Sequence, residues 1–156
     1  SKLCLNAMSN PLQAMSGLGS VEVLSSEVGR TLSIRLAAES ARIGIKLGYR
    51  IPNFGGAPAQ KWAGADQPDA CRELDRFLTP GPEPKLNWRS SMAQDVLKGR
   101  RTEIDFMNGH IVRMGGEVGL ETPVSAAVVK TVREIDADQR KPSPDALELT
   151  LRRAGI

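Results

Sequence analysis

Two cysteines, Cys4 and Cys71, are too few for a disulfide framework and fit a reducing cytoplasm. The one histidine, His110, has neither cysteine at a metal-ligand spacing, which argues against a zinc site and against a Ser-His-Asp triad; no metal is expected. Aromatic residues make up only 4% of the chain and long basic blocks are missing, so a net charge of +3 and a pI near 9.1 point to a small anionic partner rather than to nucleic acid. No apolar run approaches the ~20 residues that cross a bilayer, and no charged segment followed by an apolar one reads as a secretion signal, so no membrane partner is expected. Strict apolar/polar alternation is also scarce, which leaves little from which to build a sheet. Finally, Gly17-Leu18-Gly19 lacks both a third glycine and a preceding strand, so the phosphate cradle of a dinucleotide-binding fold is missing.

What the chain has is helical spacing almost throughout. Its 156 residues suit one all-α domain with a real core. The spacing predicts a first helix over Lys2 to Asn10, with a kink or break where Pro11 removes a donor. A long helix is expected from Ser26 to Leu47, with Val28, Leu32, Leu36, Ile43 and Leu47 on its apolar side and Gly48 as its stop. Between Tyr49 and Asn87 prolines and glycines dominate. Only Pro68 to Leu78 is read there as helix, and the stretch from Pro80 to Pro84 is read as an extended connector. Helices then resume over Met92 to Lys98, Glu103 to Val118, Pro123 to Ala137 and Pro144 to Arg153. Thr102, Thr122 and Ser143 are the expected caps of the last three.

Three polar features stand out. Lys2, Asn6 and Asn10, four residues apart, fall within about 80° of one helix face. Spacing alone makes them a solvated stripe, although Asn is a poor residue for a helix interior and two of them one turn apart call for a compensating role. Ser91-Met92-Ala93-Gln94 reads as a capping box, and the same helix start offers N–H groups to an anion. Glu103 suits the first turn of a helix begun at Thr102, with Asp105 completing a second box. Between Lys85 and Arg113, Lys85, Arg89, Lys98, Arg100, Arg101 and Arg113 outnumber Asp95, Glu103 and Asp105, which again favours a small anion.

These segments resemble one known family. Lys2-Leu3-Cys4-Leu5-Asn6-Ala7-Met8-Ser9-Asn10-Pro11 is similar to the catalytic segment of ketopantoate reductases. Ser91-Met92-Ala93-Gln94-Asp95 and Thr102-Glu103-Ile104-Asp105, with Asn108-Gly109, resemble that family's SM-QD and TEID-x-x-NG signatures. The resemblance is strong from Lys2 to Gly19 and from Ser90 to Pro123, weak between Gly48 and Asn87, and absent after about Asp136. It implies an all-α fold like the C-terminal domain of 6-phosphogluconate dehydrogenase, forming the substrate side of a two-domain enzyme. That enzyme uses NADPH to reduce a 2-keto acid, ketopantoate, to its 2-hydroxy acid in pantothenate biosynthesis. By this resemblance Lys2 is the general acid, Asn6, Asn10 and Ser91 contact substrate, and Glu103 is a cofactor-side contact; Ser20 stands where some members carry a further asparagine. The chain opens without Met, so residues 1–156 are expected to be a single helical domain whose own N-terminal Rossmann domain precedes Ser1. Taken alone it is expected to be inactive and to self-associate as a homodimer. The rival expectation is a non-catalytic helical interaction or dimerisation module that retains the scaffold.

Overall fold

Pro11 lies inside the first helix without ending it. In the computed structural model, which describes residues 1–82 and 86–156, α1 runs over Lys2–Ser16, so the expected break is not there. Proline at position 11 cannot donate to the carbonyl four residues earlier, which leaves the Ala7 oxygen without its helical partner. The Asn108 carboxamide supplies the missing donor: its Nδ2 reaches that oxygen at 3.1 Å from the first residue of α7 (Asn108–Val118). The end of α1 comes instead at Gly17, whose φ of 72° is the left-handed conformation that closes helices.

Beside α1 lies the longest helix, α3 (Glu27–Lys46), capped by the Ser26 hydroxyl, which accepts from the Gly29 N–H. Leu32, Leu36 and Ile43 enter the core as their spacing predicts, whereas Val28 is half-buried and Leu47 lies outside. The remaining helices gather around this pair: α2 (Ser20–Ser25), α4 (Ala59–Ala63) and α5 (Pro68–Leu78) on α3, and α6 (Ser91–Leu97) on α1. At the other side, α7, α8 (Pro123–Asp136) and α9 (Asp145–Arg153) pack on α3 and on one another. No strand occurs among the described residues beyond a single bridge between Phe54 and Ala57. The α4 turn is held by Trp62, which is fully buried, donates its indole N–H to the Phe54 carbonyl at 2.9 Å and stacks on the Phe54 ring. Pro80 to Pro82 form no regular element, and Glu83, Pro84 and Lys85 of the expected connector lie outside the described residues.

Several expected caps fall elsewhere. The helix foreseen from Glu103 begins only at Asn108, because Thr102 turns its hydroxyl and its N–H to the Asp136 carboxylate at the end of α8 instead of starting a helix. Asp105 is likewise no cap; it pairs with Arg133 at 2.8 Å and with Arg101 at 3.6 Å. At α8 the Thr122 side chain makes no cap bond, and the first free N–H groups, of Val124 and Ser125, both donate to the Glu39 carboxylate from α3 at 2.8 Å. Ser143 gives its N–H to the Met15 carbonyl at 3.0 Å, and α9 starts two residues later behind Pro144.

Candidate functional site

The polar stripe of α1 looks onto a cleft of about 580 Å³. Lys2, Asn6 and Asn10 form one wall, Ser90 and Ser91 at the start of α6 form a second, and Glu103, Phe106 and Met107 in the turns before α7 form the third. Lys2, Asn6, Asn10, Ser91 and Glu103, which sequence singles out, thus share one concavity although they come from three separate segments.

The second wall is placed by ties to α1. The Ser90 N–H donates to the Gln13 side-chain oxygen at 2.9 Å, and the Ser90 hydroxyl donates to the Asn10 carbonyl at 3.3 Å. The same hydroxyl accepts from the Ala93 N–H, so Ser90 and not Ser91 caps α6, and the expected capping box does not form, since Ala93 now stands at its third position. Gln94 turns back to the Arg89 carbonyl at 3.2 Å. Freed from capping, Ser91 is exposed at the first helical position. With only seven residues α6 has a short dipole, so what Ser91 offers an anion is chiefly its hydroxyl.

The third wall explains the Thr102-Glu103-Ile104-Asp105 run residue by residue. Thr102 is tied to Asp136, Ile104 is buried in the core, and Asp105 is held by Arg133, which leaves Glu103 as the exposed member on the cleft. Asn108 anchors the end of the turn through Ala7. Asn10 is 6% exposed, and its side-chain oxygen accepts from Ser9 at 3.2 Å. Gln13, Ser90 and Trp88 carry no motif that marks them in sequence. Trp88 is 47% exposed at the edge of the cleft.

Other sequence candidates lie apart from this cleft. His110 is half-buried in a separate groove with Cys4 and Tyr49, and Cys4 is buried on the side of α1 away from the stripe. No cluster of three metal-ligating side chains exists among the described residues, nor is any of their helices long and apolar enough to cross a membrane.

The family described as "Ketopantoate reductase PanE/ApbA C terminal" matches residues 1–136. The chain belongs to that family. It is 27% identical over 136 residues to a 2-dehydropantoate 2-reductase of Archaeoglobus fulgidus, covering 87% of this chain and 39% of that protein. A 2-dehydropantoate 2-reductase of Pyrobaculum aerophilum is 26% identical over 132 residues, covering 85% of this chain and 40% of the relative. The chain therefore spans about two fifths of the length of these relatives. Among solved structures, a ketopantoate reductase of Ralstonia eutropha superposes with a TM-score of 0.66 at 27% identity, over 88% of this chain and 40% of that one. A D-mandelate dehydrogenase bound to NADH and anilino(oxo)acetate superposes with a TM-score of 0.65 over 88% of this chain and 50% of that one; at 22% identity the likeness is one of fold. The all-α C-terminal domain of ketopantoate reductases is thus the fold of this chain.

Proposed function

We propose that this chain is the helical, substrate-side domain of a cytoplasmic, NADPH-dependent 2-dehydropantoate 2-reductase-like enzyme, and that its cleft holds a small 2-keto acid, ketopantoate, for reduction. One observation carries the reading: a lysine, two asparagines, a serine and a glutamate from three segments meet in one cleft of a ketopantoate reductase C-terminal domain. The residues present fit the reactive end of a nicotinamide cofactor and not its phosphates. Phe106, 81% exposed, and Leu3 give the cleft mouth an apolar rim beside Glu103, whereas the described residues hold no glycine-rich phosphate turn. The phosphates then belong to a separate nucleotide domain of the complete protein, for which the greater length of the relatives leaves room.

When bound, NADPH supplies the hydride to the keto carbon. Lys2 gives a proton from Nζ to the carbonyl oxygen as that oxygen takes up the electron pair of the C=O π bond, which couples proton supply to stabilisation of growing negative charge. Asn6 and Asn10, on the same face of α1, orient the keto acid by hydrogen bonds, and the Ser91 hydroxyl donates to its carboxylate. Glu103 accepts a hydrogen bond on the cofactor side. Holding both reactants at contact distance is the work of the two domains together, so the helical domain alone is inactive.

The test is NADPH oxidation by the complete protein with ketopantoate and other 2-keto acids. Lys2→Ala lowers kcat by ~10²-fold or more, the scale of a positioned proton donor, with a smaller effect on binding. Near wild-type turnover in that variant removes Lys2 from the role. Absence of oxidation with every 2-keto acid tried favours the non-catalytic interaction module instead.

A further inference from the structure

Asn87, Trp88, Arg89 and Ser90 belong to no helix or strand, yet they lead directly into Ser91 and carry one wall of the cleft. Bonds to the corner where α1 ends and α2 begins hold this stretch in place. The Ser20 and Val21 N–H groups, the first two of α2, have no partner within their own helix. Ser20 donates to the Trp88 carbonyl and Val21 to the Asn87 side-chain oxygen, each at 2.9 Å. Asn87 Nδ2 donates in turn to Glu22 Oε2 at 2.9 Å, and the same oxygen accepts from the Gly19 N–H at 2.7 Å. A carboxamide meets both demands at once, since the N–H needs an acceptor and the carboxylate needs a donor. Gly19 makes room for it: a Cβ there would lie 2.1 Å from the Asn87 side-chain oxygen. The Gly19 N–H, the Asn87 carboxamide and Arg89 hold the Glu22 carboxyl below its ordinary value of 4.5, which keeps it an acceptor at neutral pH.

Further along, Arg89 donates to the Gly17 carbonyl at 3.3 Å, and Ser90 is bound to Gln13 and Asn10. The stretch is thus fastened at its start by α2 and at its end by α1. Asn87 and Glu22 are exposed, so their hydrogen bonds compete with water and add little to global stability. What they fix is geometry. We infer that Asn87, seated on Gly19 and Glu22, is a positioning residue of the keto acid site, acting through Ser91 by setting where the second wall stands relative to the Lys2, Asn6 and Asn10 stripe. The inference rests on the keto acid reductase reading above and adds to it residues that line no part of the cleft.

The experiment is steady-state kinetics of the complete, cofactor-loaded protein with ketopantoate, alongside thermal unfolding. Asn87→Ala is expected to raise KM about tenfold with a smaller change in kcat, because Lys2 stays in place on α1 while the contact at Ser91 shifts; Tm changes little. In a Ser91→Ala background the same substitution raises KM by about twofold or less, since the group it positions is gone. Asn87→Asp keeps the acceptor for Val21 but sets a second carboxylate against Glu22, and raises KM as well. Adding Glu22→Gln restores a donor between the two side chains and returns KM towards the wild-type value. An unchanged KM in Asn87→Ala, equal factors in the two Ser91 backgrounds, or an Asn87→Asp defect that Glu22→Gln does not relieve overturns the positioning role while the reductase reading stands. No NADPH oxidation by the wild-type protein with ketopantoate or any other 2-keto acid overturns the reductase reading and this inference with it.

Discussion

Glu39 is a carboxylate in the core that does the work expected of the Thr122 side chain, and its loss is expected to be costly. Glu39→Ala leaves the Val124 and Ser125 N–H groups at the start of α8 without acceptors, at about 1–3 kcal/mol each, which urea unfolding measures directly. The same residue makes stability depend on pH. Burial holds its carboxyl above the ordinary value of 4.5, against the opposing pull of the Ser125 and Val124 hydrogen bonds and of Arg42. The folded chain therefore binds this proton more tightly than the unfolded one. From about pH 4.5 up to the raised folded value, its contribution to stability falls as pH rises. Glu39→Gln removes that slope, so the difference in Tm between wild type and variant changes across this range; a constant difference would refute the assignment. Nothing local marks Glu39 as a cap in sequence, because its partners lie 85 and 86 residues away.

Among elements, the join between α2 and α3 leaves no room for a side chain at Gly29. A Cβ at Gly29 would sit 2.0 Å from the Val23 carbonyl oxygen and 2.8 Å from the Ser26 hydroxyl, so the two helices meet only because the residue is glycine. Alanine is the better helix former by about 1 kcal/mol, but the displaced backbone costs about 1–3 kcal/mol and the cap at Ser26 is disturbed with it. Gly29→Ala is expected to lower Tm; an unchanged or raised Tm means that α2 can move aside freely. The elements that sequence delimits well are those whose signals are local. α5 runs over Pro68–Leu78 as predicted, starting on a proline, and α3 ends one residue before its expected last residue, Leu47. α2 and α4, of six and five residues, are too short to display a period. The turns from Glu103 to Met107 stay non-helical because Thr102 is spent on Asp136, a partner that no local pattern reveals.

Across the whole molecule, the candidate site divides in the same way. The Lys2, Asn6 and Asn10 stripe is legible because one helix sets it, and the resemblance picks out Ser91 and Glu103. Their convergence depends on Ser90 with Asn10, Gln13 with Ser90, Thr102 with Asp136 and Asn108 with Ala7, each a contact between segments far apart in the chain. The Asn108 contact can be isolated by a double-mutant cycle. Asn108→Ala leaves the Ala7 oxygen orphaned in the wild-type background, whereas in Pro11→Ala the new N–H at position 11 can serve that oxygen, so the second cost is smaller by about 1 kcal/mol. Equal costs in both backgrounds would show that Asn108 acts on something else. The pairing also imposes an order on descent. A lineage that replaces Asn108 first must pass through a weakened ancestor, while one that first sheds Pro11 crosses no such valley, so the history of two distant positions runs more easily in one direction than in the other.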